Sequence, residues 1–98
     1  MKNKQITFTM KELKEIYSKA LERLNSEIVL NQSLKYELAT KTLEKHDLTY
    51  KRLEMQLNAF LNELDNPNYS TLEIERINAK IDMITDKQLN IIDELMKV

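Results

Sequence analysis

The chain has 98 residues, with no glycine, no cysteine and a single proline, and its formal net charge is −1. Without glycine, the phosphate-binding glycine-rich loops and the EF-hand loop are excluded, and without cysteine there are no disulfides and no thiolate metal ligands. Abundant Leu, Ile, Glu and Lys are typical of long helices, so the composition predicts one small all-α domain over 1–98.

The first eight residues are expected to form a short extended or frayed arm, because Ile6, Thr7 and Phe8 favour β conformations. The basic start has no continuous apolar stretch behind it, which argues against a signal peptide. No apolar run approaches the ~20 residues that cross a bilayer. We therefore expect a soluble, cytoplasmic protein.

A long helix is predicted over 9–65. Thr9 and Glu12 have the spacing of a capping box, in which each side chain bonds the backbone of the other residue. The apolar pattern changes register further on, so the sequence allows a break near 25–33. Continuity is the favoured interpretation, and it gives a helix about 80 Å long with a projecting N-terminal third, which would imply oligomerisation. The alternative is a three-helix monomer broken near Asn31.

The second half of this long helix carries a heptad seam, with apolar residues at alternating steps of three and four. Its strongest members are Leu43, Tyr50, Leu53, Leu57, Phe60 and Leu64. The single histidine, His46, falls in the same seam and is interpreted as a partly buried polar residue that sets register. A pH-sensitive interface is the alternative role for this imidazole.

A turn is predicted over 66–69, around Pro67, followed by a second helix over 70–98. Ser70 and Glu73 form another potential capping box. The seam of this helix is apolar except at Gln88 and comprises Ile74, Ile77, Ile81, Ile84, Ile91 and Leu95. Measured outward from Pro67 the two seams match in length, which predicts a long antiparallel helical hairpin, or coiled coil.

Both helices also carry apolar residues outside their seams. This possible partner face comprises Leu34, Leu38, Leu48, Met55, Met83, Leu89, Ile92 and Met96. A helix with two apolar sides needs two neighbours, and Ile at both core positions of a heptad favours more than two strands. We therefore expect hairpins to assemble into a four-helix or larger bundle, as a homo-oligomer.

Charge is unevenly distributed along the chain. Residues 1–14 carry four lysines against one glutamate, whereas residues 62–98 carry eight acids against four bases. Two ordinary solvated surfaces would explain this distribution. The more specific interpretation is self-association, head-to-tail or antiparallel, favoured by complementary ends.

No residue pattern indicates catalysis, a cofactor, a metal site or a small-molecule substrate. The isoelectric point is near 5.9 and there is no basic stripe, so nucleic acid is not an expected partner. Richness in Lys, Asn, Ile and Leu suits an AT-rich genome, such as that of a low-GC bacterium or its phage.

Two functions fit these features. The first is a non-catalytic coiled-coil scaffold or adaptor that acts through protein–protein interaction or self-assembly. The alternative is a small helical inhibitor or immunity protein that blocks a partner protein through an apolar helical face.

Overall fold

A computed structural model of the chain describes residues 8–26 and 31–97. These residues form four α-helices, without strands, which confirms the all-α prediction for this part of the chain. The helices are α1 Met10–Asn25, α2 Gln32–His46, α3 Leu48–Glu63 and α4 Thr71–Met96. The predicted arm, apart from Phe8, lies outside the described residues, as does Val98.

Both predicted capping boxes are present. The backbone N–H of Glu12 donates to Thr9 Oγ1 at 3.2 Å, and the Thr9 N–H donates to Glu12 Oε1 at 2.9 Å. At the start of α4 the Glu73 N–H donates to Ser70 Oγ at 3.2 Å, and the Ser70 N–H donates to Glu73 Oε1 at 3.1 Å. Each box satisfies backbone donors that the first turn of a helix leaves without a partner.

The region 9–65 does not form one helix. α1 ends at Asn25, and Asn31 caps α2 by accepting a hydrogen bond from the Leu34 N–H at 2.9 Å. Both ends fall where the sequence allows a break, and residues 27–30 lie outside the described residues.

Within its described residues, no helix of this region projects alone, because α1 packs along α2. The Tyr17 hydroxyl, which lies on α1, donates to the backbone oxygen of Lys35 on α2 at 3.1 Å. The argument for oligomerisation from an exposed N-terminal third therefore does not apply to this fold.

A second interruption falls at Asp47, which the sequence analysis did not predict. Asp47 has extended backbone angles (φ −108°, ψ 112°), closes α2 and caps α3. Its carboxylate accepts hydrogen bonds from the backbone N–H groups of Thr49 and Tyr50 at 2.8 and 3.1 Å. The side chain thus replaces the carbonyl partners that these two amides would have in a continuous helix.

The main core lies where α1 and α2 meet the C-terminal part of α4. Its buried residues come from all four helices, and Tyr50 is the contribution of α3. They are Leu13, Tyr17, Ala39, Leu43, Tyr50, Ile92 and Leu95. We call α1, α2 and residues 88–96 of α4 the three-helix end. Ala39 and Leu43 of α2 lie there in one cluster with Leu95 of the last turns of α4.

Beyond this core, α3 and α4 pack on each other. Gln88 of α4 donates from Nε2 to Glu54 Oε1 at 2.8 Å, and Lys80 places its ammonium 5.4 Å from the centre of the Phe60 ring. A later residue of α3 therefore lies beside an earlier residue of α4. We call residues 53–63 of α3 and 71–84 of α4 the two-helix end.

Among the described residues, no helix combines the length and apolar character needed to cross a membrane.

Candidate interaction surfaces

The two-helix end exposes large apolar side chains. Met55 and Leu61 on α3 are 71% and 45% exposed, and Leu72 and Met83 on α4 are 56% and 60% exposed. The leucines of the three-helix end are less exposed: the highest exposed fraction among them is 42%, at Leu24. The two-helix end therefore has the most exposed large apolar side chains of the described chain, and such exposure makes it a candidate interaction surface.

The predicted seam residues are buried to different degrees along the molecule. Those below 9% exposure are Leu43, Tyr50, Ile77, Ile84 and Leu95. Those that are half-buried are Leu53, Leu57, Phe60, Leu64, Ile81 and Ile91. Ile74, at the start of α4, is 37% exposed. The four half-buried residues of α3 and its C-cap show that α4 alone leaves part of this seam accessible to solvent.

The residues of the predicted partner face do not form one surface. Ile92 is only 2% exposed and belongs to the core, and Leu38 and Met96 pack against that core. Leu48 is half-buried. The exposed members are Leu34, Met55, Met83 and Leu89. For the internal members, α1 supplies the second neighbour that the sequence pattern required.

Leu61 is an exposed apolar residue that the sequence analysis did not select. Leu57, Phe60, Leu61 and Leu64 are spaced by three, one and three residues, which widens the apolar stripe beyond a single heptad seam. This wider apolar stripe is the feature of the sequence that could have indicated a second neighbour at this end of α3.

A polar pair lies where the two ends join. Gln88 is 6% exposed, and the described structure leaves no buried side-chain polar atom without a partner. Its bond to Glu54 joins an amide donor to a carboxylate, which makes it stronger than a neutral pair. A single buried polar pair of this kind fixes the register of two helices.

Burial affects two tyrosines near this junction. Burial raises the pKa of Tyr50 to about 12, with smaller contributions from the nearby charges of Glu54 and Glu44, and a hydrogen bond with Thr40 acts in the opposite direction. Burial likewise raises the pKa of Tyr17. Both phenols therefore stay protonated at neutral pH and serve as packed hydrogen-bonding groups.

A second surface is a groove between α1 and α2, with a volume of about 380 Å³. Its lining contains four Lys or Arg side chains, one imidazole, and no carboxylate. The lining residues are Ile16, Lys19, Ala20, Arg23, Leu38, Lys41, Thr42, Lys45 and His46. The His46 ring also packs edge-on against Phe8, with ring centres 5.4 Å apart.

The charged groups of this groove have no ion-pair partner within the described parts of the chain, where the one ion pair is Lys97–Glu94 at 3.1 Å. Nor do the described residues contain three or more His, Asp or Glu side chains that converge on a possible metal position. The groove is thus suited to an anionic group and not to a cation.

Comparison of the chain with models of protein families, with curated proteins and with solved structures gives no significant match.

Proposed function

We propose that this chain is a small non-catalytic helical protein that acts through protein–protein interaction, and that it self-assembles through its two-helix end. The observation that carries the proposal is the exposure of Met55, Leu61, Leu72 and Met83 on this end. These side chains bind by burial and offer no acid, base or nucleophile, so the proposed activity is association and not catalysis.

A second copy is the partner that the two-helix end suits best. In this proposal α3 and α4 act as an antiparallel coiled-coil hairpin, and two hairpins pack face to face as a four-helix bundle. Half-buried Leu57 and Phe60 then become core residues. Full burial of a Leu or Met side chain stabilises a structure by roughly 1.5–3 kcal/mol, so a symmetric pair of such surfaces supplies the free energy of a stable dimer.

We propose that the protein is a scaffold or adaptor of the cytoplasm in a phage or a low-GC bacterium, and its richness in Lys, Asn, Ile and Leu supports that source. In this proposal the chain buries its largest exposed apolar side chains only on association. Its assembly would then be its function.

The test is the molar mass in solution over a wide range of protein concentration, measured by sedimentation equilibrium. At high salt, where contacts between exposed charges are screened, we expect wild type to form a dimer and the variant L61S/L72S to be monomeric with unchanged helicity. The matched control is L24S/L34S, which changes two leucines that are 42% and 39% exposed outside this end. A wild-type chain that stays monomeric at every concentration, or a control as monomeric as the test variant, would contradict the proposal.

The alternative function is a helical inhibitor or immunity protein that blocks another protein with the same face. Met55 and Met83, the two most exposed large apolar residues of the described chain, favour it, because flexible Met side chains suit binding to surfaces of varied shape. A monomeric wild type whose two-helix end becomes protected from hydrogen exchange only with a purified foreign partner would support this alternative.

A further inference from the structure

The basic groove has the form of a channel between two helices. Lys19 and Arg23 lie one turn apart on α1, and Lys41 and Lys45 lie one turn apart on α2. All four side chains are exposed. Between them the floor is made of half-buried or buried small and apolar residues, namely Ile16, Ala20, Leu38 and Thr42.

The outer side of α4 has the complementary character. Asp82, Asp86, Leu89 and Asp93 follow one another at steps of four, three and four residues, so they lie on one face of the helix. All four are exposed. Glu75 extends the same face toward the start of α4, and no Lys or Arg within α4 falls on it. Lys97, the C-cap four residues after Asp93, pairs with Glu94. The three aspartates span about 16 Å at 1.5 Å per residue.

These two surfaces cannot meet within one molecule. Asp86 is nine residues from Ile77, which places it on the opposite side of α4 from that buried residue. The groove is lined only by α1 and α2, with no residue from α3 or α4. It therefore lies on the outer side of the α1–α2 pair, whereas the acidic face lies on the outer side of α4.

We propose that the basic groove binds the acidic outer face of α4 of a second copy of this chain. The proposal rests on the proposed function of self-association and adds to it a second, head-to-tail interface. Asp82 and Asp86 are separated by one helical turn, as are Lys41 and Lys45 on one side of the groove and Lys19 and Arg23 on the other. Leu89 supplies the apolar contact for the floor, in the manner of a helix bound in a groove.

A helical occupant explains the groove better than a nucleic acid does. The groove is lined by residues of two helices, and its floor is largely apolar. A long polyanion would reach beyond the groove to exposed acids such as Glu22 and Glu44, which would repel it. A short acidic helix avoids that repulsion because it contacts the groove alone.

The two interfaces have different consequences for assembly. Pairing through the two-helix end uses the same surface on both copies and stops at a dimer. Groove-to-face contact uses two different surfaces, so each molecule keeps one of each available and the assembly continues to a chain or closes to a ring. We therefore expect species larger than a dimer, and we expect salt to weaken them because the paired charges are exposed.

Charge reversal tests this contact. K41E/K45E leaves two cations and two anions in the groove, and D82K/D86K leaves two cations and two acids on the outer face of α4. In each variant one surface loses its net charge, so each alone should lose association beyond the dimer by about tenfold or more. An equimolar mixture should restore it, because each variant supplies the groove that matches the face of the other. Sedimentation velocity at low salt measures the three samples, and circular dichroism checks that helicity is unchanged.

The matched control is K51E/K87E. It changes the net charge by the same amount as K41E/K45E and leaves the groove and the acidic face intact. Control assembly equal to wild type, together with restoration in the mixture, supports the proposal. The proposal is overturned if neither variant loses association beyond the dimer, if the mixture does not restore it, or if wild type stops at a dimer. Loss of association in the groove variant alone would also overturn it, because another anion would then occupy the groove.

These outcomes separate the two interfaces. A wild type that stops at a dimer refutes the head-to-tail contact and leaves the proposed pairing through the two-helix end intact. If L61S/L72S assembles like wild type and the charge variants do not, the pairing fails and the head-to-tail contact stands.

Discussion

The two ends of the molecule are built from similar side chains but differ in how completely they bury them. At the three-helix end Leu13, Leu43 and Leu95 are 1%, 0% and 0% exposed. At the two-helix end Leu57 and Phe60 are only half-buried, although they occupy the same kind of seam position. Ile77 and Ile84 of α4 are nevertheless buried at this end, at 8% and 6% exposure. It is therefore the seam of α3 that stays partly open, and burial depends on the number of neighbouring helices as well as on the heptad pattern.

Helix length explains why the two ends differ. α4 has 26 residues, or about 39 Å at 1.5 Å per residue. α2 and α3 follow one another along it, whereas α1 has 16 residues and spans only about 24 Å. The third helix therefore reaches one part of α4 and leaves the rest with α3 as its single neighbour in the described chain.

The largest test of this comparison replaces one seam leucine at each end by alanine. Leu43→Ala removes a side chain with no exposure, so we expect it to lower the free energy of unfolding by about 3 kcal/mol, the usual cost of a cavity in a packed core. Leu57→Ala should cost about 1 kcal/mol in the monomer, because water already reaches that site. Urea denaturation at a low protein concentration measures both.

High protein concentration supplies the control. If a second copy covers the two-helix end, the cost of Leu57→Ala should grow with concentration while that of Leu43→Ala stays constant. If both variants lowered the free energy of unfolding equally at low concentration, the two ends would be equally packed and the difference between them would be refuted.

The sequence predicts local features of this fold well because they depend on adjacent residues. Both capping boxes, the bend at Pro67 and most of the buried seam follow from spacing alone. The break at Asp47 does not, since the backbone N–H of Asp47 still donates to Leu43 at 2.8 Å and the Lys51 N–H donates to Asp47 at 3.0 Å. An interruption of one residue leaves the heptad periodicity almost unchanged. The one local signal of this break is Asp47 itself, because Asp is a favoured N-cap residue.

The candidate surfaces were predictable only in part for a different reason. A second apolar stripe shows that a helix needs another neighbour, but it does not say whether that neighbour belongs to the same chain. Ile92 is covered by the main core, whereas Met83 is 60% exposed, and both fit the same pattern. The basic groove was missed because its cations come from two helices that the favoured interpretation joined in one straight line.

A smaller effect is expected at the junction of the two ends. Glu54→Ala removes the acceptor for the buried amide of Gln88, and an unsatisfied buried donor costs about 1–2 kcal/mol. The double variant E54A/Q88L should recover much of this loss, because it leaves no polar group without a partner. A double-mutant cycle by urea denaturation gives the coupling between the two side chains.

Glu75→Ala is the matched control for that cycle, since Glu75 is an exposed carboxylate on α4 and its loss should change stability by no more than about 0.5 kcal/mol. Additive costs for E54A and Q88L would show that the bond contributes nothing to the register between α3 and α4. The junction would then depend on apolar packing alone.

A pH dependence is expected at Tyr50, the residue of α3 that enters the three-helix core. Burial raises its pKa from 10.0 to about 12 in the folded protein, so the folded state holds the phenolic proton more tightly than the unfolded state does. The resulting stabilisation is complete below pH 10 and is lost as the pH rises from 10 to about 12.

Thermal unfolding across this interval should show a steeper fall in midpoint for wild type than for Tyr50→Phe. Tyr69→Phe, in the loop before α4, is the control and should follow wild type. Parallel curves for wild type and Tyr50→Phe would mean that water reaches this phenol, and that the dry core of the three-helix end stops short of α3.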